Sequence, residues 1–154
     1  MMRKGFSMVE MIVVFMILGI LATSGITVTQ RSGRRQSVQS GAEQIRGALR
    51  QAQAQALAGR KVNCVNPLDS WNVNFKATGY SIDEECKLAV GGEIKSGSLV
   101  NLRVGVKVTT LPSPNPIRFK VLGHGTDITG STTLTVTNQE ETASVIISST
   151  GEIQ

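Results

Sequence analysis

Lys4-Gly5-Phe6-Ser7-Met8-Val9-Glu10, followed by Met11-Ile12-Val13-Val14-Phe15-Met16-Ile17-Leu18-Gly19-Ile20-Leu21-Ala22, decides how this chain is organised. From Phe6 to Val28 the only charged residue in a predominantly apolar run is Glu10. Wound as a helix, 6–28 is roughly 34 Å long, enough for a hydrocarbon core of about 30 Å. Arg3 and Lys4 favour a cytoplasmic N-terminus by the positive-inside rule, whereas Arg31, Arg34 and Arg35 on the far side oppose it. An ordinary secretory signal also opens with basic residues and an apolar run. It avoids a charge inside that run, however, and ends at a small-residue cleavage site; Ala22-Thr23-Ser24-Gly25 matches such a site only loosely. A lone carboxylate within lipid costs about 2.5–3.5 kcal/mol at a helix centre and less near its end, so Glu10 is read as functional and in need of a partner.

Working outward, the chain has 154 residues with 4% aromatics, one His and two Cys. A structural zinc cage of four His/Cys ligands within one chain is excluded, and any Ser-His-Asp chemistry would depend on His124 alone. That histidine lies between Gly123 and Gly125 with Asp127 nearby, a pattern of a turn rather than of a catalytic site. Asp83-Glu84-Glu85 and Glu140-Glu141 lack calcium-loop spacing and read as solvated loops. No glycine-rich phosphate loop and no Asn-x-Ser/Thr sequon occurs. No cofactor and no metal is expected. The net charge of +5 is unevenly placed: residues 1–61 carry nine Lys/Arg against two Glu, and residues 62–154 carry seven Lys/Arg against nine Asp/Glu. The two parts therefore face different surroundings.

Beyond the apolar run, Val38, Ala42, Ile45, Leu49, Ala52 and Ala56 recur at spacings of three and four, the stripe of an amphipathic helix. Gly59 predicts its stop, with Arg60 and Lys61 at the negative end of the dipole. Gly33, Gly41 and Gly47 each weaken the helix by about 1 kcal/mol relative to Ala, and a bend is expected near Gln30–Arg34. Past residue 61 the period falls to two. Trp71-Val73-Phe75, Val100 to Val108, Ile117-Phe119-Val121, Leu134-Val136 and Ala143 to Ile147 read as strands with one buried face. Tyr80–Ile82 and Lys87–Val90 are weaker candidates. Gly91-Gly92, Pro112 to Pro116, Gly123-His124-Gly125 and Thr150-Gly151 signal turns. The predicted class is α+β: a long N-terminal helix, apolar in its first half and amphipathic in its second, packed on a mostly antiparallel sheet.

Lys4-Gly5-Phe6-Ser7-Met8-Val9-Glu10 with the apolar run resembles the class III signal of type IV pilins and type II secretion pseudopilins. The resemblance implies cleavage after Gly5 by prepilin peptidase, N-methylation of the new terminus at Phe6, and an assembly role for Glu10, the fifth residue of the mature chain. Glu10 would pair with the amine of Phe6 on a neighbouring subunit, removing two charges from hydrocarbon together. Many major pilins kink this helix with proline, whereas this chain has none before Pro67. Ile117-Arg118-Phe119, Gly123, Leu134-Thr135-Val136, Ile146-Ile147-Ser148 and Gly151-Glu152-Ile153, with the helix from Ala42 to Ala58, resemble the GspH/FimT-like branch of H-type pseudopilins and minor pilins. The pilin fold so implied divides the chain into a leader (1–5), a transmembrane helix segment (6–28), an amphipathic continuation (29–60) and a β-rich domain (61–154). The implied partners are prepilin peptidase, other pilin or pseudopilin subunits, the inner-membrane assembly platform and membrane lipid. The C-terminal domain is expected outside the cytoplasm.

In an exported domain Cys64 and Cys86 are expected to pair; two reduced core thiols are the alternative. Three function classes follow: a structural minor subunit, a DNA-capturing minor pilin, and a membrane-anchored enzyme. For DNA, Arg103, Lys107, Arg118 and Lys120 lie opposite the apolar positions of their strands. Against it stand a net-acidic second part and few aromatics for stacking. An enzyme is not expected, because no catalytic constellation is announced.

Overall fold

The computed structural model describes residues 8–88, 92–123 and 125–154, apart from the side chains of 22–31. The chain divides into two compact units, one ending at Arg35 and the other comprising Gln36–Gln154. A single helix, α1 (Met8–Leu57), supplies all the described secondary structure of the first unit and the N-terminal part of the second. The helix is unbroken through residues 30–34, so the chain does not leave the helix there.

The second unit follows from the predicted stripe. Val38, Ala42, Ile45, Leu49, Ala52 and Ala56 are all buried, joined by Ala48. Gly41 explains its own presence on this face. A Cβ there would stand 3.0 Å from Val106 Cγ1 and 3.5 Å from Val136 Cγ1, so the helix lies closer to the sheet than Ala allows without adjustment. The helix ends in a Schellman motif. Gly59 has φ +59°; its N–H donates to the Ala56 carbonyl at 3.1 Å and the Arg60 N–H to that of Gln55 at 3.1 Å.

Among the described residues eight strands follow: β1 (Leu68–Lys76), β2 (Gly79–Lys87), β3 (Gly92–Lys95), β4 (Val100–Asn101), β5 (Lys107–Thr110), β6 (Ile117–Lys120), β7 (Ser131–Asn138) and β8 (Glu141–Ser148). They form two antiparallel sheets rather than one. The first has the order β3-β2-β1-β6, with β4 also paired to β2; the second has the order β5-β7-β8. The sheets are linked where the Ala77 carbonyl accepts from Val108 N–H of β5 at 2.9 Å, beside the Leu102 N–H bond to the Thr78 carbonyl that extends the β2–β4 pairing. Trp71, Val73, Phe75, Ile117 and Phe119 of the first sheet and Val108, Leu134, Val136, Val145 and Ile147 of the second share one core with the helix stripe. Burial of these aliphatic and aromatic side chains, about 1.5–3 kcal/mol each, is what holds helix and sheets together.

Three sequence expectations are corrected. Val100 to Val108 is not one strand: the Val106 N–H turns back onto the Arg103 carbonyl and Gly105 has φ +86°, so β4 and β5 fall in different sheets. Asp83-Glu84-Glu85 is not a solvated loop but the centre of β2, with all three side chains buried. The weak candidate strand at Lys87–Val90 stops at its first residue, because Lys87 ends β2 and pairs with Gly92, which opens β3 after the chain reverses; Ala89, Val90 and Gly91 lie outside the described residues.

β1 outruns its partner β6, whose ladder stops at Val73↔Ile117. The side chain of Asn115, between two prolines, replaces the missing strand. Its Oδ1 accepts from Phe75 N–H at 3.0 Å and its Nδ2 donates to the Phe75 carbonyl at 2.9 Å. The far edge of β6 is covered by Gly125 and Asp127. Part of the β8 edge is covered by Glu152 and Gln154, whose backbones bond Ser148 and Ile146. Such coverage blunts edge-to-edge association.

Candidate functional site

Gly5 and Phe6, the expected processing and methylation positions, lie outside the described residues, as do Arg3 and Lys4. Glu10 lies on α1 near the first of the described residues. Around it the large apolar side chains of Met8–Leu21 are exposed, from 44% at Val14 to 85% at Met8. Contiguous apolar surface of this kind marks a membrane or protein contact. Among the described residues no helix is long and apolar enough to cross a membrane.

At the helix exit the domain is clasped twice. Cys64 and Cys86 form a disulfide, with their Cα atoms 5.5 Å apart. Beside it, the fully buried Glu84 accepts from Val62 N–H through Oε1 at 2.8 Å and from Asn63 N–H through Oε2 at 2.7 Å. Trp71 completes the arrangement, its indole N–H donating to the Arg60 carbonyl at 3.0 Å. A carboxylate with two backbone donors is a charge-assisted pair, stronger than neutral hydrogen bonds. The sequence hides Glu84 because three consecutive acids resemble a surface run. The available signal was the period of two from Tyr80 through Ile82 to Cys86, which places Glu84 on the inward side.

On the opposite face of the same strand, Glu85 Oε2 lies 3.0 Å from Ser70 Oγ and accepts from Asn72 Nδ2 at 3.0 Å. Arg118 Nε stands 3.5 Å from that oxygen. Asp83 accepts from Ser81 Oγ and from Gly97 N–H. This polar floor satisfies its own members, and among the described residues no group of acids, His or Cys could hold a metal ion. Inside the core, burial pushes the Tyr80 phenol above its ordinary value of 10, partly opposed by a hydrogen bond with Gln44.

The four cations proposed for DNA are not gathered into one strip. Arg118 and Lys120 pair with Asn72 and Ser70 near the start of β1. Lys107 opens β5 and Arg103 lies in the preceding turn, next to the residues that bond Ala77 and Thr78 past the end of β1. Arg118 is also engaged by Glu85. His124 lies outside the described residues.

Comparison with known families agrees with both parts of the chain. Residues 1–26 match the prokaryotic N-terminal methylation motif, and residues 41–151 match the type II transport protein GspH. No curated protein and no solved structure matches. An exposed apolar helix bearing one carboxylate, a methylation motif at its start and an α+β domain built on its second half make this a pilin or pseudopilin subunit, and the chain belongs to the GspH family of type II transport proteins.

Proposed function

We propose that this chain is a minor subunit of a type IV pilus or type II secretion pseudopilus. Prepilin peptidase cleaves after Gly5, Phe6 is methylated, and residues 6–28 hold the subunit in the cytoplasmic membrane until it packs against other subunits on the inner-membrane assembly platform. The observation that carries this reading is the exposed apolar surface of Met8–Leu21 around Glu10 on the same helix that forms the core of the GspH domain. Assembly buries that surface against neighbouring helices and lipid, and Glu10 pairs with the terminal amine of Phe6 on the next subunit, which supplies both drive and register. The role is structural, and no step requires a cofactor. A DNA-capturing role draws no support from Arg103, Lys107, Arg118 and Lys120, which fall at two ends of β1.

Mass spectrometry of the mature terminus, from membranes containing the matching peptidase, tests the reading. A chain beginning at methylated Phe6 is expected. A start near Gly25 would mean ordinary secretion and an intact Met1 a permanent anchor; either overturns the proposal. Glu10→Ala is expected to leave cleavage and insertion intact while filament incorporation falls. Normal incorporation of that variant would remove the proposed pairing.

A further inference from the structure

The end of the second unit where α1 stops brings four aliphatic side chains and four cations together on separate tips. Leu57 is 54% exposed, Val62 59%, Val65 94% and Leu122 74%. Connectivity places them at one end of the first sheet. Val65 follows Cys64, which is bonded to Cys86, next to Lys87; the Lys87 N–H donates to the Pro67 carbonyl at 2.7 Å. Leu122 follows Val121, which lines a shallow groove with Lys87 and Lys120, and a Cβ on Gly123 would touch Leu57 Cδ2 at 3.4 Å. Arg60 and Lys61 are exposed in the loop between, and Lys61 Nζ reaches the Asn66 carbonyl at 3.4 Å. The carboxylates close by are Asp69, in the groove, Glu84, occupied by Val62 and Asn63, Glu85, engaged by Ser70, Asn72 and Arg118, and Glu93, opposite Cys86 and paired with Lys95.

Leu122 is the sharpest observation. Its backbone is left-handed, with φ 57° and ψ 28°, a region that large aliphatic residues avoid. Nothing in the core rewards that conformation, because the side chain points into solvent. Strain retained at an exposed apolar residue points to a surface role.

We propose that this end of the domain docks on the surface of an anionic bilayer. Leu57, Val62, Val65 and Leu122 enter the interface, and Arg60, Lys61, Lys87 and Lys120 pair with lipid phosphates. A bilayer fits better than a protein, which would need one packed, desolvated apolar centre instead of aliphatic tips separated by cations. It fits better than nucleic acid, because Trp71, Phe75, Tyr80 and Phe119 are buried and provide no stacking platform.

The test uses the full chain held in phosphatidylcholine nanodiscs and mixed with vesicles of phosphatidylcholine, with or without phosphatidylglycerol; flotation measures capture. Capture is expected only by the phosphatidylglycerol vesicles, and it weakens as salt rises. Lys87→Gln with Lys120→Gln lowers affinity about 25-fold, at about five-fold per cation. Leu122→Asn with Val65→Ser lowers it about five-fold by removing aliphatic insertion; Asn is at ease with positive φ, and unchanged Trp71 emission verifies the fold. Absence of capture by the unaltered chain overturns the proposal. So does capture that ignores the aliphatic substitutions, or tighter binding to duplex DNA at equal phosphate concentration. None of these outcomes touches the terminus measured by mass spectrometry, so the two readings fail separately.

Discussion

Replacing Glu84 by Gln changes almost nothing in shape and nearly everything in the helix-exit clasp. The wild-type carboxylate receives two backbone N–H groups, at 2.8 Å and 2.7 Å. Gln offers one oxygen, so one N–H keeps a neutral acceptor while the other faces an amide NH₂. Converting one charge-assisted bond to a neutral one costs about 1 kcal/mol, and leaving the second donor unsatisfied costs about 1–3 kcal/mol. The expected loss is about 2–4 kcal/mol, which at about 3 °C per kcal/mol is a Tm drop of about 10 °C. Trp71 is the natural reporter: it is the sole tryptophan and bonds the Arg60 carbonyl in the same loop. Thermal unfolding of the detergent-solubilised full chain, followed by Trp71 emission, gives the measurement. A Tm within about 2 °C of wild type would refute the reasoning, because a shift that small corresponds to under about 1 kcal/mol.

Reduction of Cys64–Cys86, which are 22 residues apart, is expected to destabilise the second unit by about 3 kcal/mol in the chain-entropy model; equal denaturation midpoints with and without reductant would contradict this. Asn115→Ala leaves both the N–H and the carbonyl of Phe75 without their partner and should cost about 1–3 kcal/mol, with faster amide exchange at Phe75 as the specific readout. Because the folded-state pKa of Tyr80 is raised above 10, its contribution is fully present below pH 10 and is lost as pH climbs through the folded value. Stability should therefore decline above pH 10 with a component that Tyr80→Phe removes, and identical alkaline slopes for the two proteins would exclude it.

How far the sequence could be read depends on which interactions repeat. The helix stripe from Val38 to Ala56 repeats every three to four residues, and Gly59 marks a stop whose geometry is local, so both were legible. The alternation of Trp71-Val73-Phe75 and of Ile117-Phe119 was equally plain. Val100 to Val108 misled because alternation continues through Arg103-Val104-Gly105 while the backbone turns there, a choice made by which sheet each half meets. The buried acids of β2 were illegible for a different reason. A run of three charges ordinarily means solvent, and only the tertiary placement of Val62 N–H, Asn63 N–H, Ser70 and Asn72 reverses that. Asn115 gave no signal, since a side chain standing in for a strand has no period. The N-terminal motif is the converse case: the stretch from Lys4 to Glu10 with its apolar run was legible as a linear pattern through its resemblance to a known signal, and residues 1–26 match the methylation motif.

The double clasp at the helix exit also determines where tension goes. A subunit drawn along its helix is loaded through α1, and past Leu57 the chain is held first by the Trp71 indole of β1 at the Arg60 carbonyl and then, by charge and covalently, by β2 through Glu84 and the Cys64–Cys86 bond. β2 lies inside its sheet, between β1 and β3. Force entering there is met by ladders on both sides acting in parallel, whereas force entering at β1 through an untied loop would separate the β1–β6 pairs one at a time. The covalent link shields residues 65–85 from the pull, and the domain resists extension as a sheared block rather than an unzipping ribbon.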